Sequence, residues 1–558
     1  MRLVLLVFVW LSTNALFGAT ENLAPQCDIL IQNGRVVDGS GNPWFHADVA
    51  IKDGRIIAIG RSLPHLAAQS IDAKGLVVSP GFIDIHSHSD TNILRDGLAQ
   101  SKIRQGVTTE ILGEGGSAAP STGARAPRSL VIDGQISRWS TFTEYFDLVD
   151  KQTTSVNIAS YVGLSTVWQC VMGNSFARPN ETQFGKMENL ISTAMQQGAL
   201  GLSSQVMMPP GSLATTDDLV RLAKVVAPFG GLYSTHIRNE GLGIFASVNE
   251  AIAVGERAGI PVDIIHIKIA DESNWGRMDE VVKLIEEARI RGVDVQANVY
   301  PYTRGNNNLI SIIPPWAHEG GTKRLLERLA DSSDRKQIHH DIINGVDDWY
   351  NHYTAVGGDW SRMLISGNHQ FRGLTMERVF MLRGNPKDQI DDLLSILQEN
   401  GGGISTVFAH HTEKDMNFVL QKTWCSVGSD GSAYAIEGPL RVGNPHPRNF
   451  GTFPRVLGKY VRQQKLLSLE DAVRKMTSLN ANKVGLKERG LIKVGFAADV
   501  VIFDADNIID RSTYTAPFAY PVGIPYVVVN GRLTVINGEH TGARAGVSLR
   551  KGVTPDTP

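Results

Sequence analysis

Histidines and an aspartate follow several apolar runs of the sequence at the same relative position. His86 and His88 stand two residues apart at the end of the first such run after the N-terminal region. On a strand, residues i and i+2 point to the same side, so these two imidazoles can face one point. The pair alone is equally compatible with two ordinary polar residues at the start of a loop. His236, His266 and Asp430 close three further runs, and this shared position favours one common site.

Imidazoles and a carboxylate without thiolates suit zinc or a similar divalent metal ion, and we expect one or two ions. An ion held with an open position lowers the pKa of a bound water to about 7, which supplies a nucleophile near neutral pH. Asp430 would then accept a proton from that water and pass it to a leaving group. Its Ser-Asp-Gly context also permits the alternative role of a helix N-cap.

Eight strand-like apolar runs alternate with amphipathic helical stretches, a pattern typical of a parallel sheet built from βα units. Eight such units close a (β/α)8 barrel, in which active sites form at the carboxyl ends of the strands. All five candidate residues occupy those ends. The runs are residues 82–86, 108–112, 157–162, 199–203, 231–236, 262–266, 293–300 and 424–428.

An irregular stretch separates the seventh run from the eighth. Residues from about 303 to 403 are rich in Gly, Asn and Trp and break the alternation of strands and helices. We interpret this stretch as an insertion over the barrel mouth. It would serve there either as a substrate lid or as a packing appendage.

Both ends of the chain carry short alternating strands with tight turns, at residues 27–78 and 485–545. Because each set alone would leave open sheet edges, we expect one shared domain rather than two separate decorations. The predicted fold class is therefore α/β, a (β/α)8 TIM-like barrel at residues 79–480 with a small β-sandwich domain formed from both chain ends.

The composition is that of a globular protein. Hydrophobic residues make up 42% of the 558 residues, and the 56 Gly and 24 Pro follow no period, which excludes collagen-like and disordered classes. Because 54 basic residues oppose 56 acidic ones, a nucleic-acid partner is not expected. The three cysteines, Cys27, Cys170 and Cys425, are far apart and indicate neither a disulfide framework nor a Cys-based zinc knuckle.

Residues 1–20 have the order of a signal peptide. Arg2 precedes an apolar run at residues 3–10, and small and polar residues follow from Ser12. The alternative is a buried N-terminal strand or helix. We expect export, and therefore a secreted or periplasmic protein. No later run approaches the roughly 20 apolar residues of a membrane span, so no membrane association is expected after signal removal.

A series of short motifs runs in a fixed order along nearly all of the mature chain. They are NG at 33–34, VDGSG at 37–41, PGFIDIHSH at 80–88, QGVTT at 105–109, GLSS at 201–204, YSTHIR at 233–238, YPY at 300–302, GSDG at 428–431, HPR at 446–448 and RGLIKVGFAAD at 489–499. In these motifs the chain resembles the amidohydrolase superfamily, and within it the D-aminoacylase (N-acyl-D-amino-acid deacylase) family. Each motif is common alone, but their order is highly specific.

The resemblance implies metal ligands at His86, His88, His236 and His266, and a catalytic base at Asp430. Members of the family resemble one another in an Asn-Cys-Gly turn whose Cys binds metal, whereas this chain has Gly115 at the Cys position. Glu114, one residue earlier, could bridge two ions through its carboxylate or could be a hydrogen-bonding partner of a ligating histidine. We expect the ligand role, because oxygen donors are competent at such sites.

The carboxylate of an N-acyl amino acid needs a partner, and Arg is the usual bidentate one. The resemblance implies Arg448 and Tyr302 for substrate binding. The alternatives are a surface ion pair for Arg448 and a core aromatic for Tyr302. Lys268, two residues beyond His266 on the same face, is expected to contact substrate or to orient a ligand.

The expected function is metal-dependent hydrolysis of the amide bond of small N-acyl-D-amino acids, giving a carboxylate and a free D-amino acid. One alternative is an amidohydrolase that acts on dipeptides, lactones or cyclic amides. An alternative of another class is a catalytically inactive secreted binding protein. The retention of four histidines together with Asp430 argues against the binding protein, which needs no metal cluster.

Overall fold

The structure, a computed structural model, describes residues 26–132 and 134–552. The predicted signal peptide at residues 1–20 therefore lies outside the described residues. Across these two described ranges, no helix combines the length and the apolar character that crossing a membrane requires.

Eight parallel strands form the predicted (β/α)8 barrel, and each overlaps one of the eight apolar runs. The strands are nearly all buried because helices cover the outside of the barrel and side chains fill its interior. Neighbouring strands pair in parallel, except that the short strand Val162–Gly163, which follows the third, makes the pairing with the fourth, and the ring closes where Ser87 bridges Gly431. In chain order the strands are Phe82–Asp84, Val107–Leu112, Asn157–Ser160, Gly201–Gln205, Leu232–His236, Val262–Ile264, Val295–Val299 and Cys425–Val427.

Several barrel helices begin at a side chain that caps them. Thr141, Asn180 and Thr215 each accept a hydrogen bond from the backbone N–H three residues later. The cap at Asn180 places the start of its helix at Glu181. The helices that cover the barrel are Asn92–Arg95, Gln100–Ile103, Phe142–Gln152, Leu164–Met172, Glu181–Gln196, Thr216–Lys224, Ile244–Ala258, Met278–Ile290, Glu413–Leu420, Arg448–Arg455, Leu469–Met476 and Ser478–Val484.

The two chain ends form one β domain, as predicted. Val77–Pro80 from the N-terminal part pairs antiparallel with Val500–Phe503 from the C-terminal part, which joins the two sets of strands. The turns at residues 53–54 and 530–531 pack against each other, and a Cβ on Gly531 would lie 2.6 Å from Gly54 Cα. The other strands are Gln26–Val36, Phe45–Lys52, Arg55–Gly60, Leu66–Asp72, Tyr526–Val529, Arg532–Ile536 and Glu539–His540.

The stretch between the seventh and eighth strands is an ordered unit with its own apolar core, rather than the irregular segment that its composition suggests. Apolar residues between Leu309 and Phe408 form that core. Three of its strands form a sheet in the order Gly305–Asn308, Ser405–Phe408, Met363–Ile365. Its helices are Gly321–Ala330, Ser332–Asn344, His352–Ala355, Met376–Leu382 and Gln389–Glu399. A separate hairpin, Arg128–Ile132 with Gln135–Trp139, follows the second barrel strand.

Candidate metal centre and active site

Six residues singled out in the sequence meet at the carboxyl ends of the barrel strands. They come from the first, second, fifth, sixth and eighth strands or from the residues that directly follow them. Their nitrogen and oxygen atoms form two groups, each compact enough for a metal ion. The residues are His86, His88, Glu114, His236, His266 and Asp430.

The first group combines two histidines with two carboxylates. His88 Nε2 lies 3.0 Å from Asp430 Oδ1 and 3.1 Å from Glu114 Oε2. His86 Nε2 lies 3.2 Å from the same Glu114 oxygen and 3.6 Å from Asp430 Oδ1. Four donor atoms from three strands therefore face one point.

The second group shares Glu114 with the first. Glu114 Oε1 lies 3.2 Å from His236 Nδ1, and the rings of His236 and His266 meet edge to face with centroids 4.4 Å apart. Glu114 thus presents Oε2 to His86 and His88 and Oε1 to His236, whose ring contacts that of His266. This arrangement fits a bridging ligand between two ions rather than a hydrogen-bonding partner of a single histidine.

Charges in the cluster are strongly coupled. Burial would raise the pKa of the Glu114 carboxyl, but the surrounding histidines outweigh burial and hold that pKa well below its usual value. For Asp430, burial is likewise outweighed by Arg448 and His86, and the pKa is lowered. Burial lowers the pKa of His88, but its contacts with Asp430 and Glu114 dominate and raise that pKa to about 10. Both carboxylates are therefore ionised, as metal ligands must be.

The chemistry of this donor set fits a borderline divalent ion such as zinc. It consists of imidazole nitrogens and carboxylate oxygens, and although all three cysteines lie among the described residues, none lines the site. The buried His236 Nε2 has no hydrogen-bond partner within the described chain.

Lys268 and Glu240 both contact Nδ1 of the His266 ring. Glu240 Oε1 lies 3.0 Å from His266 Nδ1 and accepts a hydrogen bond from Lys268 Nζ at 2.5 Å. Burial, followed by Lys268, lowers the pKa of His266 to about 4, which keeps the ring neutral. Lys268 Nζ also lies 2.8 Å from His266 Nδ1, so Lys268 contacts a candidate ligand, one of the two roles expected for it. Glu240 was not singled out in the sequence, although it follows His236 by four residues.

Arg448 is buried beside the cluster, which excludes the surface ion pair considered above. Its Nη1 lies 2.6 Å from Asp430 Oδ2, and its guanidinium stacks on the ring of Tyr300 at 4.9 Å from the centroid. Arg448 Nε and the Tyr300 hydroxyl are both buried without a hydrogen-bond partner among the described residues. Of these two residues, Arg448 lines the cavity above the cluster, so its unpaired Nε is available to a ligand.

Tyr302 does not occupy the place expected for it, and Tyr300 lies there instead. The Tyr302 hydroxyl donates to Pro447 O at 3.4 Å and to Asp510 Oδ2 at 3.3 Å, and its ring lies under Arg455. The physical reason is a tight turn in which Tyr302 N donates to Tyr300 O, and this turn directs the second tyrosine away from the site. Tyr302 is thus a buried aromatic, the alternative considered above.

A cavity of about 320 Å³ opens above the cluster and Arg448. One wall belongs to the inserted unit and presents carboxamides and hydroxyls. The opposite wall, which includes Gln205 and Tyr434, belongs to the barrel. The residues of the insertion wall are Asn306, Asn307, Ser366, Asn368 and Ser405.

A buried ion-pair network ties the first barrel strand to the eighth. Lys102 Nζ donates to Asp84 Oδ2 at 2.7 Å, to Ser429 Oγ at 2.9 Å and to Gly431 O at 3.1 Å. Glu110 Oε2 lies 3.4 Å from the same ammonium. Because an ammonium without partners is costly to bury, this network fixes the strand ends from which the cluster projects. No sequence motif marks Lys102.

Comparisons with known proteins give one family. A family model described as the amidohydrolase family matches residues 69–390 and 426–535. The N-acyl-D-glutamate deacylase of Alcaligenes xylosoxydans xylosoxydans is 33% identical over 507 residues, which are 90% of this chain and 93% of that protein. The D-aminoacylase of the same organism is 33% identical over 527 residues, 94% of this chain and 98% of that protein.

Solved structures give the same result. The N-acyl-D-glutamate deacylase of Bordetella bronchiseptica, in complex with zinc and a phosphonate that mimics the tetrahedral intermediate, has a TM-score of 0.78 at 30% identity. A D-aminoacylase described as having a binuclear metal centre, activated by one metal and attenuated by the second, has a TM-score of 0.77 at 32% identity. Each comparison covers 94% of this chain and all of the other.

Proposed function

We propose, because the chain belongs to the amidohydrolase family, that it hydrolyses the amide bond of N-acyl-D-amino acids to a carboxylate and a free D-amino acid. The observation that carries the proposal is the position of Glu114. Its carboxylate belongs to two groups of candidate ligands, one with His86 and His88 and one with His236 and His266, in a cavity that the buried Arg448 also lines. This reaction requires a metal-binding cluster and a cation that binds the substrate carboxylate, and both lie in this cavity.

The donor set fits one or two divalent ions, with zinc the ion held by the Bordetella bronchiseptica relative. His86, His88 and Asp430 would hold one ion, His236 and His266 the other, and Glu114 both. When bound, such an ion lowers the pKa of water and polarises a carbonyl group.

Arg448 is assigned substrate binding and Asp430 is assigned proton transfer. The Arg448 guanidinium binds the α-carboxylate of the substrate, and the Tyr300 ring packs against that guanidinium. Because Arg448 Nη1 lies 2.6 Å from Asp430 Oδ2, this anchor sets the scissile amide next to the aspartate. Asp430 accepts a proton from the attacking water and delivers it to the amide nitrogen as the C–N bond breaks.

The test combines elemental analysis of the purified protein with amine release from N-acetyl-D-amino acids. N-acetyl-L-amino acids, dipeptides and cyclic imides complete the substrate panel. Metal together with amine release from the D series supports the proposal. Metal with turnover of dipeptides or cyclic imides alone assigns the substrate to the alternative hydrolases, and metal-free protein without any turnover contradicts a hydrolase.

The role of Asp430 is tested by Asp430→Asn. We expect kcat to fall by about 10²–10⁴, the usual contribution of a general base, while His86, His88 and Glu114 retain most of the metal. Elemental analysis of the same preparation separates loss of the base from loss of the ion. Unchanged turnover would contradict the assignment.

We further propose a secreted or periplasmic location. The support is the order of the N-terminal segment, in which Arg2 precedes an apolar run and small residues. N-terminal sequencing of protein recovered from a fractionated host tests the proposal. A mature chain that starts near residue 20 in the exported fraction is expected, and an intact Met1 in the cytoplasmic fraction contradicts it.

A further inference from the structure

The insertion wall of the cavity is a preorganised polar surface. Asn306 Oδ1 accepts a hydrogen bond from Ser366 Oγ at 2.7 Å, and Asn306 Nδ2 donates to Ser405 Oγ at 3.3 Å. The two serine hydroxyls lie 2.9 Å apart. All three residues sit on or beside the three-stranded sheet of the insertion, so a rigid element fixes this amide and hydroxyl cluster.

This wall adjoins the position proposed for the substrate carboxylate. His446, two residues before Arg448, has its Nε2 2.9 Å from Arg304 O, which ties that segment to the strand Gly305–Asn308 that carries Asn306. In an amino acid the Cβ is two bonds from the carboxylate carbon, whereas the acyl group lies beyond the scissile bond. With the carboxylate on Arg448 and the scissile amide at the metal-binding cluster, the side chain is the remaining substituent on Cα and faces the insertion wall with Asn306.

The charges at this wall disfavour an acidic side chain. Among the described lining residues, Arg448 is the only arginine or lysine, and the α-carboxylate pairs with it. Burial, followed by Arg448, holds the pKa of His446 well below its usual value, so that ring stays neutral. Arg372 and Arg441 line an adjoining cavity that shares Asn368 with this one, and both arginines are exposed. A second carboxylate facing Asn306 would be desolvated without a cation.

An apolar side chain would be disfavoured for the complementary reason. It would cover Asn306 and the serine hydroxyls without replacing their bonds to water, which leaves polar groups unpaired. A carboxamide or hydroxyl both donates and accepts, as this wall does.

We propose that the cavity selects N-acyl-D-amino acids with neutral polar side chains, such as those of D-glutamine and D-asparagine. This selection specifies the substrate side chain for the reaction proposed above, and it rests on that proposed function. Asn306 is the specificity-determining residue, with Ser366 and Ser405 holding its carboxamide in place.

Side chains of matched shape provide the test. The kcat/KM of N-acetyl-D-glutamine is expected to exceed those of N-acetyl-D-glutamate and N-acetyl-D-methionine by at least about tenfold each, because buried polar groups reject partners that leave them unpaired. N-acetyl-D-asparagine is expected to exceed N-acetyl-D-aspartate and N-acetyl-D-leucine in the same way. Equal or higher values for the acidic or apolar members would overturn the selection.

Asn306→Leu tests the residue itself, because leucine has the same branching and the same number of side-chain heavy atoms as asparagine. The kcat/KM for N-acetyl-D-glutamine is expected to fall by about 10- to 100-fold, while that for N-acetyl-D-methionine stays within about threefold or rises. Asn189→Leu, on the exposed face of the helix Glu181–Gln196, is the matched control and should change neither value. A parallel fall for both substrates in Asn306→Leu would assign the residue a merely structural role.

A binding measurement separates failure of this inference from failure of the proposed function. Phosphonamidate analogues of N-acetyl-D-glutamine and N-acetyl-D-glutamate bind without being turned over, and calorimetry gives their dissociation constants. If none of the N-acetyl-D-amino acids is hydrolysed, the proposed function fails, and the ratio of these constants still decides the side-chain preference. Tighter binding of the glutamine analogue supports the preference, and equal or weaker binding overturns it.

Discussion

Gly115 lies against Gln205 so closely that a Cβ on the glycine would be 2.5 Å from Gln205 Cβ. Gly115 also has a φ of +58°, and its N–H donates to Ser203 Oγ on the fourth barrel strand. A cysteine side chain at this position would therefore need both a strained backbone and displacement of the fourth strand. Glu114, one residue earlier, is the residue whose carboxylate lies in both groups of candidate metal ligands.

Glu114→Gln should remove the second ion. The neutral amide loses the charge that attracts both ions and cannot bridge them with two anionic oxygens, so we expect at most one equivalent of zinc per chain. Affinity for the remaining ion should fall by about 10-fold or more. Elemental analysis after dialysis and competition with a chelator measure both quantities.

A second substitution at the neighbouring position provides the control. Glu114→Gln/Gly115→Cys places a thiol at residue 115 but should not restore the metal content, because Gln205 occupies the space of its Cβ. Two equivalents of zinc in the double variant would show that the fourth strand moves to make room for the cysteine. Full metal content in Glu114→Gln alone would show that Glu114 is not a metal ligand.

Arg448→Met should abolish recognition of the substrate carboxylate. The wild type is expected to prefer an N-acetyl-D-amino acid over its C-terminal carboxamide by about 10²-fold or more, since a buried ion pair is lost with the amide. In the variant the two compounds should be hydrolysed with similar kcat/KM. Most of the fall in kcat/KM for the acid should come from a higher KM. Initial rates with matched acid and amide pairs give the comparison.

A retained preference for the acid in Arg448→Met would assign carboxylate binding to another group, for example Lys268, which contacts the same Tyr300 ring. Tyr302→Phe serves as the comparison variant. Its hydroxyl contacts Pro447 and Asp510 rather than the cavity, so the preference for the acid should persist in that variant.

The sequence predicted the barrel and most of the cluster for one reason. Each strand is a buried apolar run, and the residues that directly follow a run converge at one rim, so His86, His236 and Asp430 could be placed without knowledge of packing. This rule does not apply to Tyr300 and Tyr302, which lie beyond the end of the strand. The strand stops at Val299, and beyond it a turn rather than strand alternation decides whether Tyr300 or Tyr302 faces the site.

Contacts distant in sequence could not be predicted from local pattern. Lys102 pairs with Asp84 and contacts Ser429, 327 residues away, and no spacing rule connects them. The inserted unit was recognised as an insertion, but its three-stranded sheet pairs Asn306 with residues about 100 positions later. Short strands rich in Asn and Gly have low β-propensity, so the ordered structure of the inserted unit depends on tertiary packing.

Glu240→Gln should loosen His266 without removing a ligand. Glu240 orients the imidazole through Nδ1, and loss of such a partner typically costs about 10- to 100-fold in metal affinity or activity. Chelator competition and kcat/KM should both fall in the variant. The control is Glu286→Gln, a carboxylate on the barrel helix Met278–Ile290 that approaches Lys422. Wild-type metal affinity in Glu240→Gln would contradict the positioning role.

Asp263 lies in the sixth barrel strand and accepts a hydrogen bond from Asn298 Nδ2 at 2.8 Å, while Asn298 Oδ1 accepts one from His266 N. Burial raises the pKa of Asp263 to about 7, and this outweighs the opposing effects of Lys483 and Asn298. The folded protein therefore holds a proton on Asp263 at pH values where the unfolded chain has lost it. The contribution of Asp263 to stability is present below its unfolded pKa near 4 and is lost as pH rises to about 7.

Asp263→Asn should remove this pH dependence, because the amide keeps the hydrogen bond to Asn298 and never ionises. The difference in unfolding free energy, variant minus wild type, is expected to grow by about 2–4 kcal/mol between pH 4 and pH 7 and to stay level above pH 7. Urea unfolding of both proteins across that range measures it, and the titration of the histidines common to both cancels in the difference. A difference independent of pH would show that Asp263 is ionised in the folded protein, and a difference that shrinks with rising pH would reverse the sign of the argument.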